Sequence, residues 1–232
     1  MNSSEINISS KDGDFMGYLA SPSEGGPGII VLQEIFGVNS WLRGVCDMFA
    51  KEGYMALAPD LFWRQQAGIQ LDPTNEADFA KGLEIYGEFD VDKSVQDIQA
   101  SIDNLRNNDK CNGKVGSTGF CLGGLLSYLT AARTNSNANS GYYGVGIEGL
   151  LNEANNITTP LMLHIASEDS FVPKDVSEKI CSHLNGYELI NTFIYKGCDH
   201  GFARDTDPSH YNPEATKIAH SRTLDLFNKE LQ

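Results

Sequence analysis

Short apolar runs alternate with segments of helical spacing along most of the chain, and this rhythm predicts its elements. Gly28–Gln33 (GIIVLQ) is a continuous apolar run, the pattern of a strand covered on both faces. Trp41–Lys51 follows with an amphipathic helical pattern that stops near Gly53. Tyr54–Ala58 (YMALA) then reads as a second strand, running into the Pro59-Asp60 turn. Val91, Val95, Ile98, Ile102 and Leu105 recur at steps of three and four, predicting a helix over Val91–Arg106. Lys114–Thr118, Gly141–Gly146, Pro160–Ile165 and Glu188–Tyr195 read as further strands, and Leu122–Arg133 and Ala215–Leu231 as helices. Pro173 opens one more helix, in the favoured first-turn position. Strands alternating with helices imply an α/β domain in three layers around a mostly parallel sheet. No repeat or low-complexity seam divides the chain, and the Ser/Gly/Pro-rich stretch Ser21–Gly28 reads as a loop. Residues 1–232 are therefore expected to form a single domain, with a helical insertion around Asp72–Asp90.

Charge narrows the choice of partners. Seventeen basic against 31 acidic side chains leave a net charge of −14. Such a field repels phosphate backbones and anionic lipid, so neither nucleic acid nor a membrane is an expected partner. An anionic substrate would need a local cationic pocket. The N-terminal segment is polar and lacks an apolar signal core, and no stretch approaches the ~20 apolar residues of a spanning helix. The five cysteines are odd in number and show no C-x-x-C or zinc-ribbon spacing. A cytoplasmic enzyme with reduced thiols is the expectation, and a monomer.

The chemistry concentrates in Gly119-Phe120-Cys121-Leu122-Gly123-Gly124, where a strand ends and a helix begins. This is the setting of a nucleophile elbow, with cysteine in the usual place of serine. A strained turn exposes the nucleophile, and glycines two residues away leave room for adjacent chain. The following helix aims its N-terminal amides at the thiol, favouring thiolate and a developing oxyanion. The bland alternative is a structural cysteine in a Gly-rich turn. The partners argue against it: Asp169 follows the strand Pro160–Ile165, and His200 follows the strand Glu188–Tyr195. Nucleophile, acid and base thus fall at strand ends in the required chain order. Glu168 is an alternate acid. His164, inside an apolar strand, reads as a core histidine, while His183, His210 and His220 fall on surface segments. A zinc site from His200 and His210 lacks acids to complete it, so no metal is expected. Cys198 reads as structural, or as an oxidation partner of Cys121.

Several segments, in order through nearly the whole chain, resemble dienelactone hydrolase, the carboxymethylenebutenolidase family of the α/β-hydrolase fold. They are Gln33-Glu34-Ile35-Phe36-Gly37-Val38-Asn39, Pro59-Asp60-Leu61, the Cys121 elbow, Gly141-Tyr142-Tyr143-Gly144-Val145-Gly146, Asp169 with Phe171-Val172-Pro173, and His200-Gly201-Phe202-Ala203-Arg204. QEIFG together with GFCLGG is specific, because most α/β hydrolases use serine and lack that glutamate.

The resemblance implies that Glu34 holds the resting thiol neutral until substrate binding swings it away and lets His200 take the proton. A thiolate released only with substrate bound is protected from oxidation and alkylation. Backbone amides of Ile35 and Leu122 are the expected oxyanion donors. Arg204 is the candidate for a substrate carboxylate, with Phe36 and Tyr143 as further substrate-binding residues. The family's second carboxylate-binding arginine aligns with Phe79 here. Lys81, or Arg64, is the nearby cation that could substitute. The implied reaction is cysteine-dependent hydrolysis of a small ester or lactone, first of all dienelactone to maleylacetate in aromatic compound degradation, without a metal or organic cofactor. A general carboxylesterase or thioesterase is the alternative, and a non-catalytic binding protein a third reading.

Overall fold

The computed structural model describes residues 1–232. Its strands are β1 (Asn2–Ser10), β2 (Gly13–Ser21), β3 (Gly26–Leu32), β4 (Met55–Pro59), β5 (Cys111–Phe120), β6 (Asn139–Tyr142), β7 (Leu161–Ala166) and β8 (Ile190–Tyr195). They form one sheet in the order β1-β2-β4-β3-β5-β6-β7-β8. Strands β4 through β8 and β3 pair in parallel, whereas β1–β2 and β2–β4 pair antiparallel. The helices are α1 (Ser40–Lys51), α2 (Trp63–Gln66), α3 (Glu76–Gly87), α4 (Val91–Arg106), α5 (Leu122–Arg133), α6 (Lys174–Leu184) and α7 (Pro213–Leu231).

Strand β3 shows why a continuous apolar run is needed. Ile29 and Val31 join a cluster with Trp41, Leu42 and Phe49 of α1 and Phe227 of α7. Ile30 and Leu32 point the other way, into a cluster with Ile98, Ile102 and Leu105 of α4 and Leu126 of α5. Each face of the sheet is therefore covered by helices, the three-layer arrangement expected from the resemblance. Helix α1 starts at Asn39, whose side chain accepts from the Leu42 amide and donates to the Leu71 carbonyl. The expected insertion is α3, between β4 and α4.

The hairpin β1–β2 was not expected, because only Ile8 of β1 is buried and the remaining positions are polar or half-exposed. A strand at a sheet edge with one solvated face needs few apolar residues. Pairing of Ser10 with Gly13 leaves Lys11-Asp12 as a two-residue turn, and the Asp-Gly step was its one local signal. Strand β6 ends at Tyr142 rather than Gly146, since Tyr143 at φ 37° leaves the extended conformation. Pro173 is the N-cap of α6 instead of a first-turn residue.

The sheet order reverses between β3 and β5. From β3 the chain crosses to β4 on one side, and after β5 it advances to β6, β7 and β8 on the other. Open parallel sheets bind their ligands outside the carboxyl ends of the strands at such a switch point. The carboxyl ends of β3, β5, β7 and β8 lead to Glu34, Cys121, Asp169 and His200.

Candidate active site

Cys121 is the residue between β5 and α5, and its backbone at φ 55°, ψ −115° lies in a region that non-glycine residues avoid. The turn is held by the Cys121 amide donating to the Tyr142 carbonyl and by the Gly124 and Leu125 amides donating to the Cys121 carbonyl. Its glycines are required by contact. A Cβ on Gly119 would lie 2.1 Å from the Gly123 carbonyl oxygen, and one on Gly123 would lie 2.2 Å from that of Leu32. Close packing of α5 against β3 thus leaves the thiol on a raised, strained corner above the sheet.

His200 reaches the same cavity from the loop after β8. Its Nδ1 lies 3.0 and 3.2 Å from the two carboxylate oxygens of Asp169. Asp169 Oδ1 also accepts from the Phe171 and Val172 amides, so the acid is fixed by its own turn. Asp199 ties the two loops together, accepting from both the Ser170 and His200 amides. Glu168, the alternate acid, is exposed and takes a hydrogen bond from Ser167. Burial opposes a charge on His200, but the Cys121 sulfur and the Asp169 carboxylate outweigh it and raise its pKa to about 10. The arrangement favours an imidazolium facing the cysteine.

Glu34, 2% exposed, lies at the end of β3 and accepts from Arg204 Nη1 through both oxygens, at 2.9 Å each. Arg204 Nη2 donates to Asp207 at 2.9 Å, and its guanidinium carbon lies over the Phe36 ring, 5.5 Å from the centroid. Arg204 borders the cavity but is 6% exposed and already holds two carboxylates. Desolvation disfavours its charge, yet Glu34 and neighbouring groups more than compensate and raise its pKa. Asp207 also accepts from Ser209 and from His210 Nδ1, the latter at 2.8 Å. His210 belongs at the mouth of the cavity, which its position in the chain did not reveal.

The cavity measures about 350 Å³ and is lined by Cys121, His200, Ile35, Leu122 and Phe36 among others. It has room for a small ester, with the two proposed oxyanion residues beside the thiol. Three sequence expectations need correction. Lys81 pairs with Glu84 at 3.0 Å along its own helix and does not line the cavity. Arg64 is held by Asp97 and Asp12, with Trp63 stacked beneath it. Tyr143 is 2% exposed and does not line the cavity, its ring packing edge-on 5.0 Å from that of His200. Phe79, in contrast, does line the cavity.

His164, His220 and Cys198 lie outside the cavity lining. His164 is fully buried between Tyr195 and Thr223, and burial keeps it neutral. His220 is half-buried, with its ring 5.7 Å from Tyr142, rather than on the surface. Cys198 is buried, and desolvation raises its pKa. No group of three or more His, Cys, Asp or Glu side chains is placed to hold a metal ion. No helix is long and apolar enough to cross a membrane.

Comparison with known proteins shows the family. The model of the dienelactone hydrolase family matches residues 15–231. A relative from Azospirillum brasilense is 40% identical over 232 positions, covering 95% of each chain. Carboxymethylenebutenolidase of Pseudomonas putida is 37% identical over 224, covering 96% of this chain and 94% of its own. A crystal structure from Klebsiella pneumoniae superimposes with a TM-score of 0.84 at 26% identity, covering 98% of this chain and 99% of that one. The chain belongs to the dienelactone hydrolase family and is a carboxylic ester hydrolase.

Proposed function

We propose that the chain is a cysteine-dependent hydrolase of a small carboxylic ester or lactone, and that a carboxylate-bearing enol lactone of the dienelactone type is its first substrate to test. The observation that carries the reading is a strained Cys121 sharing one cavity with a His200 ring held by Asp169. The sulfur attacks the carbonyl carbon, and the amides of Ile35 and Leu122 hold the oxyanion. Losing one such donor typically costs roughly 3–4 kcal/mol of transition-state stabilisation. Collapse breaks the C–O bond and releases an enolate, whose delocalised charge makes it a good leaving group. The His200 imidazolium gives its proton to the enolate, which becomes the keto product, maleylacetate in the case of dienelactone, and the imidazole is left neutral. His200, oriented by Asp169, then takes a proton from water, which attacks the thioester and frees Cys121.

Glu34 and Arg204 link binding to this chemistry. The Arg204 fork that holds Glu34 is the group a substrate carboxylate would seek, so the two anions compete for it. A substrate that takes Arg204 releases Glu34, and the freed carboxylate then acts on the proton balance of Cys121 and His200. The occupied fork also favours a second reading, a carboxylesterase for uncharged esters that leaves the Arg204–Glu34 pair intact.

The test follows the ultraviolet absorbance of dienelactone with wild type and Cys121→Ala in parallel. Rapid loss that requires Cys121 supports the lactone reading. Absence of loss, with Cys121-dependent cleavage of a neutral aryl ester, moves the protein to the second reading. Equal activity of the two proteins contradicts the nucleophile.

A further inference from the structure

One wall of the cavity is aromatic and carries no fixed charge. The Phe79 ring lies 6.0 Å from Phe36 and 6.5 Å from Phe171, near-parallel to the latter at 30°. Phe171 in turn meets the His200 ring edge-on at 4.8 Å. At the rim, Leu83 is 46% exposed, Tyr86 38% and Phe171 49%, in a molecule that buries most of its large apolar side chains. Exposed apolar surface gathered at the mouth of a cavity marks a contact surface. Lys81, the one cation that α3 could have offered, turns to Glu84.

We propose that this wall is a subsite for the alcohol portion of the substrate, and that it takes a flat apolar group, aryl or conjugated enol. The proposal rests on Cys121 and His200 acting as described above. Its orientation follows from His200. The leaving oxygen must lie within reach of that ring, and the groups continuing outward from the ring are Phe171 and Phe79. Rings packed 6.0 and 6.5 Å apart present one continuous aromatic surface to the cavity, on which a planar group gains stacking and edge contacts, whereas a small vinyl or methyl group leaves most of it in water. Arg204 meets this wall only at Phe36, whose ring centre lies 5.5 Å from the guanidinium carbon, so the Phe79 and Phe171 rings read flatness beyond the reach of the charge.

The experiment measures kcat/KM for phenyl acetate and vinyl acetate, which share an acetyl group and differ in the alcohol portion. The phenyl-to-vinyl ratio is compared among wild type, Phe79→Arg, Phe171→Ser and Cys121→Ala. Taking a ratio within each protein and comparing it between proteins cancels the intrinsic reactivity of the two esters. A fall in that ratio of about tenfold in Phe79→Arg is expected, with a smaller fall in Phe171→Ser. Phe171 is half exposed, so its variant keeps the test open if Phe79→Arg does not fold. An unchanged ratio in the folded variants, with hydrolysis still dependent on Cys121, overturns the subsite and leaves the proposed function standing. Equal hydrolysis by wild type and Cys121→Ala overturns the proposed function itself.

Discussion

At the scale of single residues, each side chain at the site answers to a partner that can be removed. Arg204 neutralises Glu34 and Asp207 where none of the three is more than 7% exposed. Arg204→Ala leaves the buried Glu34 carboxylate unpaired and Asp207 with only Ser209 and His210, and should destabilise the fold by about 3–5 kcal/mol, read as a drop in the denaturant midpoint. Loss of stability below ~1 kcal/mol would show that water solvates the pair. His200 gives a pH signature. Its pKa is raised to about 10 in the folded protein, so its charged form contributes stability in full below the ordinary histidine value. That contribution declines as pH rises from there through about 10. The stability difference between wild type and His200→Gln should therefore shrink across this window, and a difference that grows would contradict the charged pair. The convergence of Cys121, Asp169 and His200 was legible in the sequence because strand ends and chain order constrain it. Arg204 was legible as a cation of the site, but not as one already paired. A buried ion pair joins residues 170 positions apart, and nothing local announces it.

Among the elements, α3 matters most for the site. Gly82 packs it against the loop after β3, where an added Cβ would lie 2.8 Å from the Ile35 carbonyl oxygen. Gly82→Ala should push α3 and the Ile35 loop apart and lower kcat about tenfold or more if the Ile35 amide holds the oxyanion. An unchanged kcat in a folded variant would remove Ile35 from that role. At α1, Asn39→Ala loses the cap on Leu42 and the bond to Leu71, at a cost of about 1 kcal/mol measurable by thermal unfolding. The existence of α3 was readable as an insertion, yet which face it turns to the site was not. Periodicity places Phe79, Lys81 and Leu83 on a helix, but only packing decides that the phenyl ring enters the cavity and the ammonium does not. The β1–β2 hairpin escaped notice for a related reason: a solvated edge pair keeps little of the apolar pattern on which the other strands were recognised.

Taken whole, the molecule is an acidic body whose cavity is bordered by a recessed arginine and a charged histidine. Its net charge of −14 opposes the approach of an anionic substrate. Raising the ionic strength toward about 0.15 M shortens the Debye length to about 8 Å. It should raise kcat/KM for a carboxylate-bearing ester and leave that for a neutral ester nearly constant. Equal responses of the two would mean that Arg204 focuses the local field strongly enough to hide the surface. The reversal of strand order between β3 and β5 explains why residues from four strand ends converge there; the βα rhythm announced a parallel sheet but not the order of its strands.

The central claim is that turnover passes through an acyl group on the Cys121 sulfur. Rapid acid quench of enzyme mixed with phenyl acetate, followed by the mass of the peptide containing Cys121, tests it directly. An acetyl adduct on Cys121 that forms and decays as fast as turnover, and is missing from Cys121→Ala, is the result expected. Turnover at the normal rate with Cys121 unmodified throughout would contradict it.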